Sequence, residues 1–287
     1  MNVIVIHGGA GKWPKELIPQ ARAGVQVALR LGYETLTRTN DSLKAVLAAT
    51  RLMEDNEVFN CGRGSALSID GQIEMDAAIM TSDGCFGAVA ALRSVRHPID
   101  VAYKVMTETS HLLLAGSGAT KMARLWGFPR FNPMTEKARR QFAQLRARPR
   151  IPWMPEFKKY LSRFGTAGVV ALDHPRRFAG ANSTGGYRGK LPGRVGDTPI
   201  YGAGTFAGRY GGVTATGVGE EIIRLFLSKT VHDQMRRLSA QEAINRALTQ
   251  ARRVGLIAID TKGRVGVGFT TAYMPYGSIR DGKELLF

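Results

Sequence analysis

Thr166 is the first candidate for chemistry. It opens the run Thr166-Ala167-Gly168-Val169-Val170-Ala171-Leu172-Asp173, directly after Gly165, where a basic, proline-rich stretch stops and small and branched residues begin. A threonine starting a strand is by itself only a good β-former. Three downstream segments give it company: Ser183-Thr184-Gly185-Gly186, Pro192-Gly193-Arg194-Val195-Gly196-Asp197 and Thr216-Gly217-Val218-Gly219-Glu220. They bring hydroxyls, a cation, a carboxylate and backbone donors onto glycine-rich turns, where a backbone can approach a ligand closely. The chemistry such a set suits is attack by a hydroxyl on a bound small molecule. The plainer reading of Arg194 and Asp197 is an i,i+3 salt bridge, but the flanking Gly193 and Gly196 argue against a helical pair.

Other motifs weigh less. His7-Gly8-Gly9-Ala10-Gly11-Lys12 follows an apolar run, yet Trp13 and Pro14 stand where a phosphate loop needs Ser or Thr and an opening helix. A tight buried turn is expected there. No Gly-x-Ser-x-Gly elbow is present. His7, His97, His111, His174 and His232 lie far apart without metal spacing, so surface or core roles are expected. Cys61 and Cys85 make neither a disulfide framework nor a zinc site. The apolar run at residues 3–6 is too short for a signal peptide or membrane span. A cytoplasmic protein in a reducing compartment is expected.

The elements that must position Thr166 follow from periodicity. Residues 3–6 read as a buried strand, 15–31 as a helix stopped by Gly32, and 41–56 as a helix capped by Asn40 or Asp41. Residues 72–81 and 86–93 read as strands, and 98–114 and 119–126 as helices. After Gly165, strands are expected at 167–172, 178–182, 200–203 and 212–215, helices at 220–231 and 240–254, and a hairpin from 256–260 and 264–270 around Thr261-Lys262-Gly263-Arg264. Strands at both ends with helices between fit stacked sheets covered by helices better than alternating βαβ units.

Charge is the compositional outlier: 40 basic against 23 acidic residues in 287, a net of +17. Such a balance raises nucleic acid or an anionic surface as partner. Residues 130–165, however, carry ten basic residues against two acids, so +8 of the excess sits there. That stretch reads as a flexible, poorly packed linker with some helical content. It lacks the interleaved aromatic platform that single strands stack on, so a nucleic-acid partner is not expected. A basic binding protein with a degenerate active site stays as the alternative of a different class.

The motifs together resemble the plant-type asparaginases, or isoaspartyl peptidases, of the N-terminal-nucleophile hydrolases. The resemblance covers nearly the whole chain. It runs through His7 to Gly11, Met53-Glu54-Asp55-Asn56 with Phe59-Asn60-Cys61-Gly62-Arg63-Gly64-Ser65, Glu74-Met75-Asp76-Ala77, Gly87-Ala88-Val89-Ala90, His111-Leu112-Leu113-Leu114-Ala115-Gly116 and the C-terminal segments above. It implies an α+β fold, a four-layer αββα sandwich. It also implies a chain that cuts itself at Gly165–Thr166 into an α part (1–165) and a β part (166–287), which together form one globular domain and assemble as a dimer of cleaved αβ units.

The resemblance makes Thr166 the nucleophile. A new N-terminal threonine carries its own α-amine, of reference pKa about 7.7–8.0, as base for the hydroxyl. Thr184 would tune that amine, and Asn60 would orient the Thr166 region. Thr216 and the Gly217 N–H would stabilise the oxyanion. Arg194 would grip the substrate α-carboxylate bidentately and Asp197 its ammonium, within a substrate-binding set of Arg194, Val195, Gly196, Asp197, Thr216, Gly217, Val218 and Gly219. The substrates implied are L-asparagine and short β-aspartyl peptides, with no cofactor. A structural sodium would sit on backbone carbonyls of Met53, Glu54, Asn56, Phe59, Cys61 and Arg63, oxygen ligands that suit a hard cation. Phe164 and Ala167 depart from the family's pattern at the scissile bond and bear on the rate of cleavage. Glycosylasparaginase and threonine aspartase share the fold and stay as alternatives, although Gly165 matches the isoaspartyl type.

Overall fold

A computed structural model describes residues 1–146 and 165–287. The strands are β1 (Val3–His7), β2 (Met75–Thr81), β3 (Phe86–Leu92), β4 (Leu113–Ala115), β5 (Ala167–Leu172), β6 (Phe178–Thr184), β7 (Thr205–Gly208), β8 (Gly211–Gly217), β9 (Val254–Asp260), β10 (Val265–Phe269), β11 (Tyr276–Arg280) and β12 (Lys283–Leu286). The helices are α1 (Ile18–Thr39), α2 (Ser42–Asp55), α3 (Pro98–Glu108), α4 (Gly116–Leu125), α5 (Glu136–Arg146), α6 (Gly219–Leu225), α7 (Leu227–Gln234) and α8 (Ala240–Leu248).

An eight-stranded sheet has the order β12-β11-β1-β5-β6-β2-β3-β4, and a four-stranded sheet the order β10-β9-β8-β7. Only β3 with β4 is parallel among these pairings. Helices α1 to α3 cover one face of the large sheet, the small sheet covers the other through β8 and β9, and α7 and α8 cover the small sheet. This is the four-layer αββα sandwich.

Two-sided burial explains why the central strands read as continuous apolar runs rather than alternating ones. Along β1, Ile4 and Ile6 join the core under the helices, while Val3 and Val5 join the core between the sheets. In β5, Ala167, Val169 and Ala171 face the helices and Val170 and Leu172 face the small sheet. Along β9, Ile257 and Ile259 enter the inter-sheet core, and Val254, Leu256 and Ala258 pack under α7 and α8. Each buried branched side chain contributes about 1.5–3 kcal/mol.

Several expectations are corrected. Helix α1 does not stop at Gly32: a Cβ there would lie 2.6 Å from Ile4 Cδ1, so the glycine serves close packing, and the helix ends at Asn40, left-handed at φ 48°. The 98–114 helix ends at Glu108, and Leu113–Ala115 becomes an edge strand. Residues 200–203 form a turn, with the strand displaced to Thr205–Gly208. The 220–231 helix breaks at Phe226, whose φ is 49°. The helix begun at Ala240 ends at Leu248, short of 254. Strands β11 and β12 were not expected. Asp41 does cap α2, accepting from the N–H groups of Leu43 and Lys44.

The basic stretch is better packed at its start than expected. Ala138 of α5 is buried, and the Phe142 ring lies where a Cβ on Gly71 would fall. The rest of that stretch, with Phe164, lies outside the described residues.

Candidate active site

The register of the large sheet assembles the site. Ala167 pairs with Ser183, so the next step along the ladder sets Thr166 opposite Thr184. Asp76 of β2 pairs with Thr184 on its other side. The Thr166 hydroxyl donates to Thr184 Oγ1 at 3.3 Å, and Thr184 Oγ1 also accepts from the Gly186 N–H at 3.0 Å. Both threonines are buried.

Asn60 braces the Gly165–Thr166 bond. Its N–H donates to the Gly165 carbonyl at 3.1 Å, its carbonyl accepts from the Gly185 N–H at 2.8 Å, and its side chain bonds the Gly186 carbonyl and the Ala66 N–H. Gly9 closes the other side. At φ +104°, a Cβ there would sit 2.3 Å from Gly165 Cα, so the turn after β1 presses on the bond. The glycine-rich run His7 to Gly11 is thus the tight turn expected, and its purpose is close approach to Gly165.

A narrow cleft of about 10 Å³, roughly one water, lies among Gly165, Thr166, Thr184, Gly186, Tyr187, Arg194, Asp197 and Gly217. Arg194 and Asp197 converge on Gly219: a Cβ there would lie 2.8 Å from both Arg194 Nη2 and Asp197 Oδ1. The ion-pair partner of Arg194 is Glu220, at 2.9 Å, and its guanidinium lies 4.6 Å from the centre of the Tyr187 ring. Asp197 is buried, and its Oδ2 has no hydrogen-bond partner among the described residues. Burial pushes the Asp197 carboxyl up to about 7, against the pull of Arg194. A cation entering the cleft would supply the missing partner.

Of the other expected residues Gly217 lines the cleft, while Thr216, Val218, Val195 and Gly196 sit nearby. Thr216 is fully buried, and its hydroxyl accepts from the Ala10 N–H at 3.3 Å, leaving its own hydrogen to donate. Gly217, at φ +128°, lies so close to Arg253 O that a side chain would clash at 2.3 Å. Val218 precedes α6, and its carbonyl accepts from Glu221 and Ile222. Val195 is half-buried, and the Gly196 N–H points to Asp76 Oδ2 at 3.3 Å.

Asp76 and Glu74 are residues whose purpose the sequence did not reveal. Asp76 also accepts from the Ala91 N–H at 2.8 Å. Glu74 accepts from the Gly193 N–H at 2.8 Å and from Arg93 at 2.6 Å, while Lys190 Nζ donates to the Glu74 carbonyl at 2.8 Å. Two buried carboxylates therefore clamp both ends of the 193–196 turn that carries Arg194. Burial lowers the Lys190 pKa. Glu54 is a third case. It is fully buried, accepts from the Ser183 hydroxyl at 2.6 Å and the Ile99 N–H at 3.1 Å, and burial pushes its carboxyl well up. The one available signal was carboxylates inside strand-like or helical apolar runs, a context that demands partners.

His7 is buried against Gly168, and burial lowers its pKa to about 3, so the ring is neutral. The loop after α2 offers carbonyl oxygens. A Cβ at Gly62 would fall 2.4 Å from Glu54 O, and one at Gly64 would fall 1.8 Å from Phe59 O. The carbonyls of Asn56 and Cys61 accept from the N–H groups of Phe59 and Gly64 and have capacity for a second contact, while the Met53 carbonyl accepts from both the Asn56 N–H and the Cys61 thiol. Such a donor set fits a hard cation.

No helix among the described residues is long and apolar enough to cross a membrane. The asparaginase family model matches residues 1–285. A plant-type L-asparaginase of Pyrococcus horikoshii is 43% identical, covering 99% of this chain and 98% of the relative. The plant-type L-asparaginase of Thermococcus kodakarensis is 41% identical over the same shares of the two chains. An isoaspartyl peptidase/L-asparaginase of Danio rerio is 38% identical, covering 99% of this chain and 94% of the relative. With Thr166, Thr184, Arg194 and Asp197 gathered at one cleft and the likeness running end to end, this chain belongs to the asparaginase family.

Proposed function

We propose that this chain cuts itself at Gly165–Thr166 and then hydrolyses L-asparagine and β-aspartyl peptides, releasing L-aspartate. The observation that carries the reading is the Thr166 hydroxyl held 3.3 Å from Thr184 in a cleft shared with Arg194 and Asp197. In the first step Thr166 Oγ attacks the Gly165 carbonyl carbon and the C–N bond breaks, giving an ester and a free amine. Water hydrolyses the ester, leaving a Gly165 carboxylate and an N-terminal Thr166. Gly165 lines the cleft, so its departure makes room for substrate.

In turnover, the neutral α-amine takes the Thr166 hydroxyl proton while the oxygen attacks the β-carbonyl. Ammonia or the peptide amine leaves with a proton, and water releases aspartate from the acyl ester. The Thr216 hydroxyl and Gly217 N–H face the developing oxyanion, where losing one donor costs roughly 3–4 kcal/mol of barrier. Arg194 holds the α-carboxylate and Asp197 the α-ammonium; Val195, Gly196, Val218 and Gly219 form the backbone around them. Asn60 and Thr184 position the nucleophile. The loop carbonyls of Met53, Glu54, Asn56, Phe59, Cys61 and Arg63 hold a structural sodium ion, which takes no part in the chemistry. The working form is a cytoplasmic dimer of cleaved αβ units.

Mass spectrometry after incubation should show two fragments split before Thr166, and Thr166→Ala should abolish both cleavage and turnover. An intact chain that hydrolyses β-aspartyl dipeptides would overturn the mechanism. Parallel assays with asparagine, β-Asp-Leu and a glycosyl-asparagine fix the leaving group.

A further inference from the structure

A second pocket meets the active cleft at Gly165. Its lining includes the apolar Trp13, Pro14, Leu17, Val58 and Ala138 and the cations Lys12 and Arg188, with Asn60, Ser65 and Thr135 as polar members. Among the described residues, Gly165 alone lines both this pocket and the cleft of Thr166, Arg194 and Asp197. It therefore forms the partition between them in the uncut chain. The pocket measures about 80 Å³, roughly half the 150 Å³ cavity that accepts benzene, so a branched aliphatic side chain of about four carbons fits.

We propose that this pocket is the binding subsite for the leaving residue of a β-aspartyl dipeptide, and that it selects an aliphatic residue with a free α-carboxylate. The inference rests on the function proposed above. A β-aspartyl dipeptide has two ends: an aspartyl end with ammonium and carboxylate, and a leaving residue with a side chain and its own carboxylate. The Arg194 and Asp197 side of the cleft matches the first end. The surface on the other side of Gly165 must face the second, because the attacked carbonyl lies between them. The pocket offers the two features that end requires. Its apolar wall is held in place, since the Trp13 indole N–H donates to the Gly9 carbonyl at 2.9 Å and Gly9 abuts Gly165. Its lining also carries Lys12, which is exposed, and Arg188, so a carboxylate held there meets positive charge.

L-Asparagine has no leaving residue, because ammonia departs, so its hydrolysis does not use this pocket. This separates the subsite from the chemistry. The test uses the self-processed full chain, with cleavage verified by mass, and compares kcat/KM for L-asparagine, β-Asp-Gly, β-Asp-Leu and β-Asp-leucinamide. The expected result is a preference of about tenfold for β-Asp-Leu over β-Asp-Gly, from a few buried methylenes. A preference of about threefold to fivefold for β-Asp-Leu over its amide is expected from a partly screened ion pair. Lys12→Met should reduce the discrimination against the amide to less than twofold. Leu17→Ala should shrink the preference for leucine over glycine. Both variants should keep asparagine kcat/KM within about twofold, which also shows that they fold and self-process. The subsite assignment is overturned if wild type treats the three peptides alike, or if the variants change asparagine and β-Asp-Leu in parallel. Absence of cleavage or of any hydrolysis by wild type would instead overturn the proposed function.

Discussion

Asp197 offers the sharpest physical test of the cleft. In the uncut chain its carboxyl is buried with one oxygen unpartnered among the described residues, and its pKa rises from an ordinary 3.8 to about 7. Below pH 3.8 the group is neutral in both folded and unfolded chains and has no effect on pH dependence. Between 3.8 and 7 the unfolded chain releases the proton while the folded chain keeps it, so stability falls as pH rises. The decline is complete above pH 7. At 1.36 kcal/mol per tenfold change, Asp197 costs the folded chain about 4 kcal/mol at pH 8 relative to pH 3.8. The perturbation is Asp197→Asn, placed on Thr166→Ala so that both proteins stay uncut. Urea unfolding at several pH values between 4 and 8 gives each stability curve. The asparagine variant should lack the decline, so the two curves should diverge steadily and differ most above pH 7. Curves that stay parallel to within about 1 kcal/mol would refute the claim that burial holds this carboxyl neutral.

Three further outcomes follow from the geometry. Asp76→Asn loosens the Gly196 anchor of the turn carrying Arg194, at a cost of about 1.5 kcal/mol for a hydrogen bond to a charged group; steady-state kinetics should show KM for asparagine rising about tenfold with kcat nearly unchanged. Gly9→Ala sets a Cβ 2.3 Å from Gly165 Cα at a φ of +104°, so fragment appearance on denaturing gels should slow at least tenfold. Glu54→Gln keeps the shape of a neutral acid and should cost under about 1 kcal/mol in denaturant unfolding. Glu54→Ala should cost about 3 kcal/mol, because it leaves a cavity and strands the Ser183 hydroxyl and the Ile99 N–H.

The net charge of +17 first suggested an anionic partner, yet much of it belongs to residues 130–165. Part of that stretch, α5, packs on the domain through Ala138 and Phe142. Its apolar residues are few and widely spaced among charges, so the stretch read as a linker. The few apolar residues of α5 do share one face, but charged residues so outnumber them that the segment as a whole is strongly hydrophilic and resembles a linker.

Local pattern and chemical type made Thr166, Thr184, Arg194 and Asp197 candidates from the chain alone, and the family resemblance supplied the roles expected of them. Hydroxyls and charges on glycine-rich turns stand out because glycine lets the backbone there approach a ligand closely. The apolar runs of β1, β5 and β9 were legible because burial on both faces leaves no polar position. What the chain alone could not decide is which residues meet. Strand register placed Asp76, Thr184 and Thr166 side by side from three separate segments. Tertiary packing of the 193–196 turn against α6 paired Arg194 with Glu220 rather than Asp197, leaving one Asp197 oxygen without a partner among the described residues. Gly9 and Gly165 are far apart in sequence, and only the folded sheet makes one press on the other. Propensity acts over a few residues, whereas the electrostatics and close contacts of this cleft depend on distances that tertiary packing sets.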